Sequence, residues 1–343
     1  MLLKLVVVFL LLAITFDKLI GYGLFIAFAS CTVTGVYYAF CRKHFAECRY
    51  RLCWDRGLFR NLFSYFSWNL FGSAAGVAKT EGLNVLLNVF FTPIVNAARG
   101  IACLISNVLM QFFNNFYTAV RPQIIKYYAQ DNTREMMDLV FRSTKYSFFL
   151  CLLVSLPVLV EAPFIISLWL GQLPEHAVAF TRLIVVISVI DALASPIMTA
   201  AHATGRIKLY QFVVGSIMLC NIPVSYALLS LVPNPLIVYW VSLLLTVIAF
   251  IVRLFILKRL VSFSIREYLC RVILPISVLA LLSSLLPVAL RTILDEGFAS
   301  SVAIIAVSVL SSCSVIFGLG MNKGERAVVV KAISNKIKPK SVI

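Results

Sequence analysis

The residues best suited to chemistry form a polar stripe on one apolar segment near the middle of the first half of the chain. The side chains of this stripe recur at steps of three or four residues, which on a helix confines them to a face about 120° wide. They are Asn96, Arg99, Cys103, Asn107, Gln111, Asn114, Thr118 and Arg121. Apolar residues such as Leu104, Val108 and Phe112 lie on the opposite side. The stripe therefore needs polar surroundings within an otherwise apolar helix.

Arg99 decides how this stripe is interpreted. An arginine near the centre of a bilayer costs at least about 2.5 to 3.5 kcal/mol on insertion scales, so it requires water or a polar partner. The amides alone would fit hydrogen bonds that hold neighbouring helices together. Because Arg99 belongs to the same face, we expect the stripe to line a polar cavity, with interhelical hydrogen bonding as the alternative.

A second polar stripe occupies the apolar segment 177–203. Its members also share one helical face, and they are Thr181, Ser188, Asp191, Ser195, Thr199 and His202. Asp191 lies well inside the segment, so its carboxylate either carries a coupling proton or cation or serves as the counter-ion of an intramembrane cation such as Arg99. The predicted substrate-binding residues of both stripes are Asn96, Arg99, Asn107, Gln111, Asn114, Arg121, Ser188 and Ser195.

Further basic side chains lie near the ends of apolar segments. They include Arg121, Arg142, Lys145 and Arg182. Arginine keeps its charge when buried and matches phosphate in a bidentate geometry, so such groups suit an anionic head group. The alternative is that these side chains extend to the membrane surface without a specific ligand.

The sequence contains no signature of a metal centre or an enzyme. Cys41, His44, Cys48 and Cys53 cluster in one polar connection, but their spacing fits no usual zinc finger, so we expect free thiols and no metal or cofactor. Nucleotide-binding loops, nucleophile elbows and zinc-protease helices are also missing from the sequence. This pattern favours transport over catalysis.

The composition indicates the elements that must position these stripes. The chain is 61% hydrophobic and only 13% charged, far from the roughly half-apolar, quarter-charged makeup of soluble domains. Apolar runs of about 20 residues recur along it, which predicts an all-α polytopic membrane protein with about ten transmembrane helices. The predicted segments are 2–16, 19–40, 62–80, 87–120, 136–160, 177–203, 209–231, 236–257, 268–290 and 298–318.

Lys and Arg concentrate in alternate connections, which predicts a multi-pass topology with both termini cytoplasmic. The opposite connections are expected to hold Lys79, Glu161 and Arg291. The net charge of +16 is spread over loops, where basic residues attract anionic lipids, so we expect membrane lipids as partners and no nucleic acid.

The longest polar stretch divides the chain. Residues 41–60 form a basic cytoplasmic linker between two helices in residues 1–40 and a six-helix lobe in residues 61–260. Two carboxy-terminal helices occupy residues 261–320, and residues 321–343 form a basic cytoplasmic tail.

Several short motifs give the chain a family resemblance. They are residues 96–102 (NAARGIA), 121–129 (RPQIIKYYA), 168–171 (LWLG) and 203–208 (ATGRIK), in that order. With these motifs the chain resembles bacterial oligosaccharide flippases, the polysaccharide-transporter branch of the multidrug/oligosaccharidyl-lipid/polysaccharide exporter superfamily. The resemblance extends over about residues 61–260.

The resemblance implies a two-lobe exporter in the bacterial cell inner membrane. Such a protein moves undecaprenyl-pyrophosphate-linked oligosaccharide from the cytoplasmic to the periplasmic leaflet, by alternating access, for polysaccharide, O-antigen and lipopolysaccharide synthesis. Its partners are the lipid-linked oligosaccharide, membrane lipids and a coupling cation or proton. The stripe containing Arg99 would then face the substrate cavity.

The resemblance also implies that the exporter fold is incomplete, because four helices of the first lobe have no counterpart here. A misplaced gene start, a truncated gene or a partner that completes the lobe would each explain this. Two other functions stay open: a drug or cation antiporter of the same superfamily and a non-transporting truncated remnant. A polysaccharide polymerase or ligase would need a larger outward loop than this sequence has.

Overall fold

The computed structural model describes residues 18–45, 48, 54–295, 297–322 and 324–327. Within them the chain is α-helical without a strand, and eight helices are long and apolar enough to cross a membrane. This confirms an all-α polytopic membrane protein. The predicted segment 2–16, much of the linker 41–60 and most of the basic tail lie outside the described residues.

The helices follow one another with short connections. They are α1 (Lys18–His44), α2 (Arg56–Phe90), α3 (Pro93–Ala129), α4 (Thr133–Leu170), α5 (Ala177–Ala203), α6 (Lys208–Leu219), α7 (Asn221–Leu231), α8 (Leu236–Leu260), α9 (Ile265–Tyr268), α10 (Leu274–Ile293) and α11 (Phe298–Val315). Two π-helical stretches are present as well: Leu269–Ile273 joins α9 to α10, and Ile316–Gly320 extends α11. Helices α6 and α7 together form one candidate span, Lys208–Leu231.

The chain divides into two compact units, Met1–Arg60 and Asn61–Ile343. In the first unit, helix α1 is apolar and largely exposed. In the second unit, helix α5 is central and packs against α3, α4 and α8. Helices α10 and α11 pack on each other and on α4, while α6 and α7 pack on α8. Helix α5 therefore carries its polar stripe through the middle of the second unit.

The boundary between α2 and α3 differs from the sequence prediction. We expected a connection at residues 81–86, but α2 continues to Phe90 and α3 starts at Pro93. Proline is accommodated in the first turn of a helix, where its missing N–H would have no partner, and it keeps the preceding residue extended. Thr92 is extended accordingly, with φ −78° and ψ 160°. The polar residues near Glu81 were wrongly interpreted as a loop.

Helix α4 is longer than predicted and bends at Glu161. It continues past Pro157 and Pro163 to Leu170, and Glu161 has non-helical angles (φ −106°, ψ 29°). Pro163 has no N–H to donate to the carbonyl of Leu159. Arg182 of α5 supplies that donor instead, with its Nε 3.0 Å from the Leu159 oxygen. This contact gives Arg182 a structural role at the bend.

The predicted position of Glu161 in an outward connection is wrong. Its side chain is 1% exposed within α4, and its Oε1 lies 3.4 Å from Nε of Arg291 on α10. Arg291 was also assigned to a connection but lies in the last turn of α10. Both charges tolerate their position in a helix because they neutralise each other.

Glycines end two of the helices that carry the short motifs. Gly171 follows α4 with φ 72°, and Gly205 follows α5 with φ 69°. Positive φ is readily adopted only by glycine, and it is a common way to end a helix. The glycines of the motifs at 168–171 and 203–208 are thus explained by helix termination.

Candidate functional site

A cavity of about 350 Å³ opens among helices α2, α3, α5 and α8 of the second unit. Charged and polar side chains from all four helices line it, together with apolar ones such as Leu83, Met110 and Ile187. The polar lining residues are Lys79, Thr80, Arg99, Cys103, Ser106, Asn107, Ser188, Asp191, Tyr239 and Ser242. We call this space the central cavity.

Four of the residues predicted for the site line the central cavity: Arg99, Asn107, Ser188 and Asp191. Arg99 is fixed against α2, because its Nη2 donates a hydrogen bond of 2.7 Å to the carbonyl oxygen of Thr80. The same side chain also lines the central cavity. The two predicted stripes therefore meet at one site.

The other predicted residues lie elsewhere. Gln111, Asn114 and Arg121 are exposed on α3, beyond the central cavity. Asn96 is half-buried, and its Oδ1 is buried without a hydrogen-bond partner among the described residues. Ser195 donates to the carbonyl of Asp191, one turn back in its own helix, at 3.0 Å. These residues do not belong to the cavity itself.

The stripes contain both residues that line the cavity and residues that form interhelical hydrogen bonds, and Ser188 belongs to both groups. Ser188 and Ser106 share a buried hydrogen bond of 2.6 Å between α5 and α3. Further along, the Tyr117 hydroxyl group bonds to Thr199 and donates to the carbonyl of Ser195 at 2.7 Å. Such bonds join α3 to α5, whereas Arg99 and Asp191 face the cavity.

The partner of Asp191 is a residue that the sequence prediction missed. Oδ1 of Asp191 lies 3.7 Å from Nη1 of Arg253 on α8. Arg99, the cation considered for this role, bonds to α2 instead. Arg253 could have been found, because it is the single charge in the predicted segment 236–257, and a charge inside a span indicates a functional or paired group.

Lys79 is the second residue that was missed. It was assigned to an outward connection, but it lies inside α2 and lines the central cavity. Its Nζ is 3.4 Å from Oγ1 of Thr246 on α8. The misassignment of Lys79 has the same cause as the misplaced α2–α3 boundary.

The charges give the central cavity a positive balance. Lys79 and Arg99 contribute two cations to the lining and Asp191 one carboxylate, while Arg253 lies directly behind the carboxylate. Inside a bundle of low polarity, unbalanced cations attract an anion more strongly than they would at a fully exposed surface. The lining is therefore suited to an anionic ligand with hydrogen-bonding groups.

Metal binding receives no support from the described residues, among which no group of three His, Cys, Asp or Glu side chains is placed to hold an ion. Cys53, one member of the cluster in the linker, lies outside them. Cys103 is half-buried in the cavity wall, whereas Cys151 is buried in the packing of α4.

Comparisons with models of known protein families, with curated proteins and with solved structures find no match to this chain. The chemistry of the cavity, rather than a relative, therefore has to carry any functional assignment.

Proposed function

We propose that this chain belongs to a membrane transporter that moves undecaprenyl-pyrophosphate-linked oligosaccharide from the cytoplasmic to the periplasmic leaflet of a bacterial inner membrane. The observation that carries the proposal is the central cavity, whose otherwise largely apolar lining carries two cations and one carboxylate inside a helical bundle. A pyrophosphate group is anionic, and arginine and lysine are its usual protein ligands.

The depth of the cavity supports a role in translocation rather than in surface binding. Asp191 lies near the middle of the 27-residue helix α5, and a helix of about 20 residues already spans the hydrocarbon core. Charged groups at that depth are costly unless they serve a pathway or are paired. Arg99, Lys79 and Asp191 would place the head group of the substrate at the level of the bilayer core.

The size of the cavity limits what it would hold. Its volume of about 350 Å³ is at the lower end of the range for small-molecule sites, enough for a pyrophosphate with one sugar ring. The rest of the glycan would lie along the exposed polar side chains of α3, among them Gln111, Asn114 and Thr118. The lipid tail would remain in the bilayer.

The same proposal includes the topology. With the basic connections and both termini on the cytoplasmic side, α4 begins and α5 ends at the cytoplasmic face. The charges that follow α8, Lys258 and Arg259, would then lie at the same face.

The test replaces Arg99 by alanine in cells that depend on this protein for glycan export. We expect surface glycan to fall at least about tenfold, because a buried charge-assisted contact contributes more than about 1.4 kcal/mol. Lipid-linked oligosaccharide should accumulate on the inner leaflet at the same time. The control is Arg134→Ala, an exposed residue in the first turn of α4, with both proteins quantified in the membrane. Normal export by the Arg99 variant would refute the proposal.

One observation favours a second function, that of a drug or cation antiporter. The Asp191 side chain is 39% exposed and faces the cavity, where a carboxylate can bind a proton or a cation. An antiporter predicts resistance that depends on an ion gradient and is lost in Asp191→Asn, with no effect on lipid-linked oligosaccharide. A flippase predicts that Asp191→Asn leaves drug resistance unchanged and makes lipid-linked oligosaccharide accumulate on the inner leaflet.

A further inference from the structure

A second cavity, separate from the central one, lies at the end of the second unit where α4 begins. Its volume is about 690 Å³, and it is bounded by α4, by the π-helical stretch Leu269–Ile273 and by the residues that follow Ile316–Gly320. Its lining includes Arg142, Lys145, Tyr146, Arg271 and Glu325. We call this space the rim groove.

Three separate segments place the rim groove at the edge of the hydrocarbon core. Uncharged runs cover residues 146–160, 272–290 and 297–322. Lys145 and Arg271 immediately precede the first two runs, and Glu325 follows the third by three residues. Charged side chains that border long uncharged helices lie at the level of the lipid head groups. The groove is therefore open to lipid phosphates.

Three cations among the described residues line the groove, and two of them are available for a ligand. Nη1 of Arg271 lies 3.0 Å from Oε1 of Glu267 and 3.6 Å from Oδ1 of Asp138, so its charge is already neutralised. Within the part of the chain that the structure describes, Arg142 and Lys145 have no carboxylate within ion-pair distance. They are three residues apart on α4 and so lie on one face of that helix.

Glu325 occupies the position opposite these cations. Its carboxylate accepts a hydrogen bond of 2.8 Å from the backbone N–H of Asn322, and the hydroxyl group of Tyr146 lies nearby. Partial burial would raise the pKa of Glu325, but these two groups and the charges of Lys145 and Arg142 hold the pKa below its ordinary value. The chain thus places one of its own anionic groups where an external anion would bind.

We propose that the rim groove binds the phosphate of an anionic phospholipid head group through Arg142 and Lys145, and that Glu325 competes for these cations. A lipid fits better than a soluble anion because the groove borders the long uncharged runs of three segments. The rings of Phe141 and Phe149 are buried in the bundle beside it, and the centroid of the Phe149 ring lies 5.7 Å from Nζ of Lys145. This site lies apart from the central cavity and does not depend on the transport proposal.

The test measures lipid binding to the full chain purified in detergent, by native mass spectrometry. The probe is dioctanoyl phosphatidylglycerol, compared with dioctanoyl phosphatidylcholine and with inorganic phosphate. We expect Arg142→Gln/Lys145→Gln to weaken phosphatidylglycerol binding about 25-fold, because each cation near a membrane surface contributes a factor of about five. The matched control is Lys258→Gln/Arg259→Gln, which removes the same charge from exposed residues and should change binding less than about threefold.

A second variant tests the competition by Glu325. Because its expected effect is in the opposite direction, it also distinguishes loss of the binding site from misfolding of the first variant. Glu325→Gln removes the internal carboxylate charge and should tighten phosphatidylglycerol binding about fivefold, the opposite direction from the double variant. The proposal is overturned if Glu325→Gln has no effect or if the control pair loses as much affinity as the groove pair. Equal binding of phosphatidylcholine, or displacement of the lipid by an equal concentration of inorganic phosphate, would overturn the assignment to an anionic lipid.

Discussion

Among the described residues, Glu161–Arg291 and Asp191–Arg253 are two ion pairs that join helices of the bundle, and their burial is reversed. In the pair at the bend of α4, the side chain of Glu161 is 1% exposed and that of Arg291 is 26% exposed. In the pair beside the central cavity, the side chain of Arg253 is 6% exposed and that of Asp191 is 39% exposed. The more exposed member is therefore the arginine in the first pair and the carboxylate residue in the second.

This reversal distinguishes an enclosed pair from one that borders the central cavity. Glu161 lies at the bend of α4 near Pro163, and its side chain is enclosed by the packing of the bundle. The Asp191 side chain lies at the wall of the central cavity and forms an ion pair with Arg253, which does not line the cavity. Asp191 is therefore accessible from the cavity, whereas Glu161 is almost fully enclosed.

The largest expected effect comes from removing the exposed member of the cavity pair. Asp191→Ala leaves Arg253 buried without its counter-ion and should lower the free energy of unfolding by about 3 to 5 kcal/mol. Unfolding by SDS in mixed micelles, followed by circular dichroism, provides the measurement. The double variant Asp191→Ala/Arg253→Met should recover much of this loss. Equal losses in the single and double variants would break the comparison, because Arg253 would then not depend on Asp191.

The pair at the bend should show the opposite order of effects. Arg291→Ala leaves the enclosed carboxylate of Glu161 unpaired and should cost about 3 kcal/mol, the lower end of the range because Arg291 is partly exposed. Glu161→Gln should cost less, since the side chain of Arg291 can extend to the surface. The same SDS titration compares the two variants. If Glu161→Gln were the more damaging, the assigned direction of burial would be wrong.

The smallest effect concerns a third carboxylate, that of Glu325. It lies outside the spans, unlike the carboxylates of the two ion pairs. Its pKa is lower in the folded protein than in the unfolded chain, so its stabilising contribution is present above the ordinary value of 4.5 and is lost as the pH falls below it. The stability difference between the wild type and Glu325→Gln should therefore shrink as the pH is lowered from 6 to about 3.5. A difference that grows toward acid pH would contradict this assignment.

The sequence predicts the helices well where their ends coincide with changes in hydrophobicity. Segment 177–203 agrees with α5 at both ends. The prediction fails where a charge was taken as evidence for a connection, as with Lys79 and Glu161, because partners on other helices compensate these charges. Such partners lie far apart in sequence, so periodicity along one segment does not reveal them. Pro93, by contrast, was a local signal that could have placed the start of α3.

For the candidate site, the helical spacing of polar residues was informative but incomplete. It led to Arg99, Asn107, Ser188 and Asp191, which the fold brings together at one cavity. It did not distinguish them from Gln111 and Asn114, which share the stripe but lie further along α3. Which part of a stripe faces a cavity depends on the neighbouring helices, and the sequence of one helix does not contain that information.

The central claim, that the central cavity is a charged and water-accessible space inside the membrane, is tested most directly by the reactivity of the native cysteines. Three variants would each retain one cysteine in reconstituted vesicles: Cys103 at the cavity, Cys151 in the packed core and Cys313, which is exposed on the apolar helix α11. The measured quantity is the rate of modification by a charged methanethiosulfonate reagent, which reacts with thiolates in water. We predict that Cys103 reacts at least about ten times faster than either of the others, because only its thiol meets water within the bundle. A rate for Cys103 as low as that for Cys151 would contradict the account.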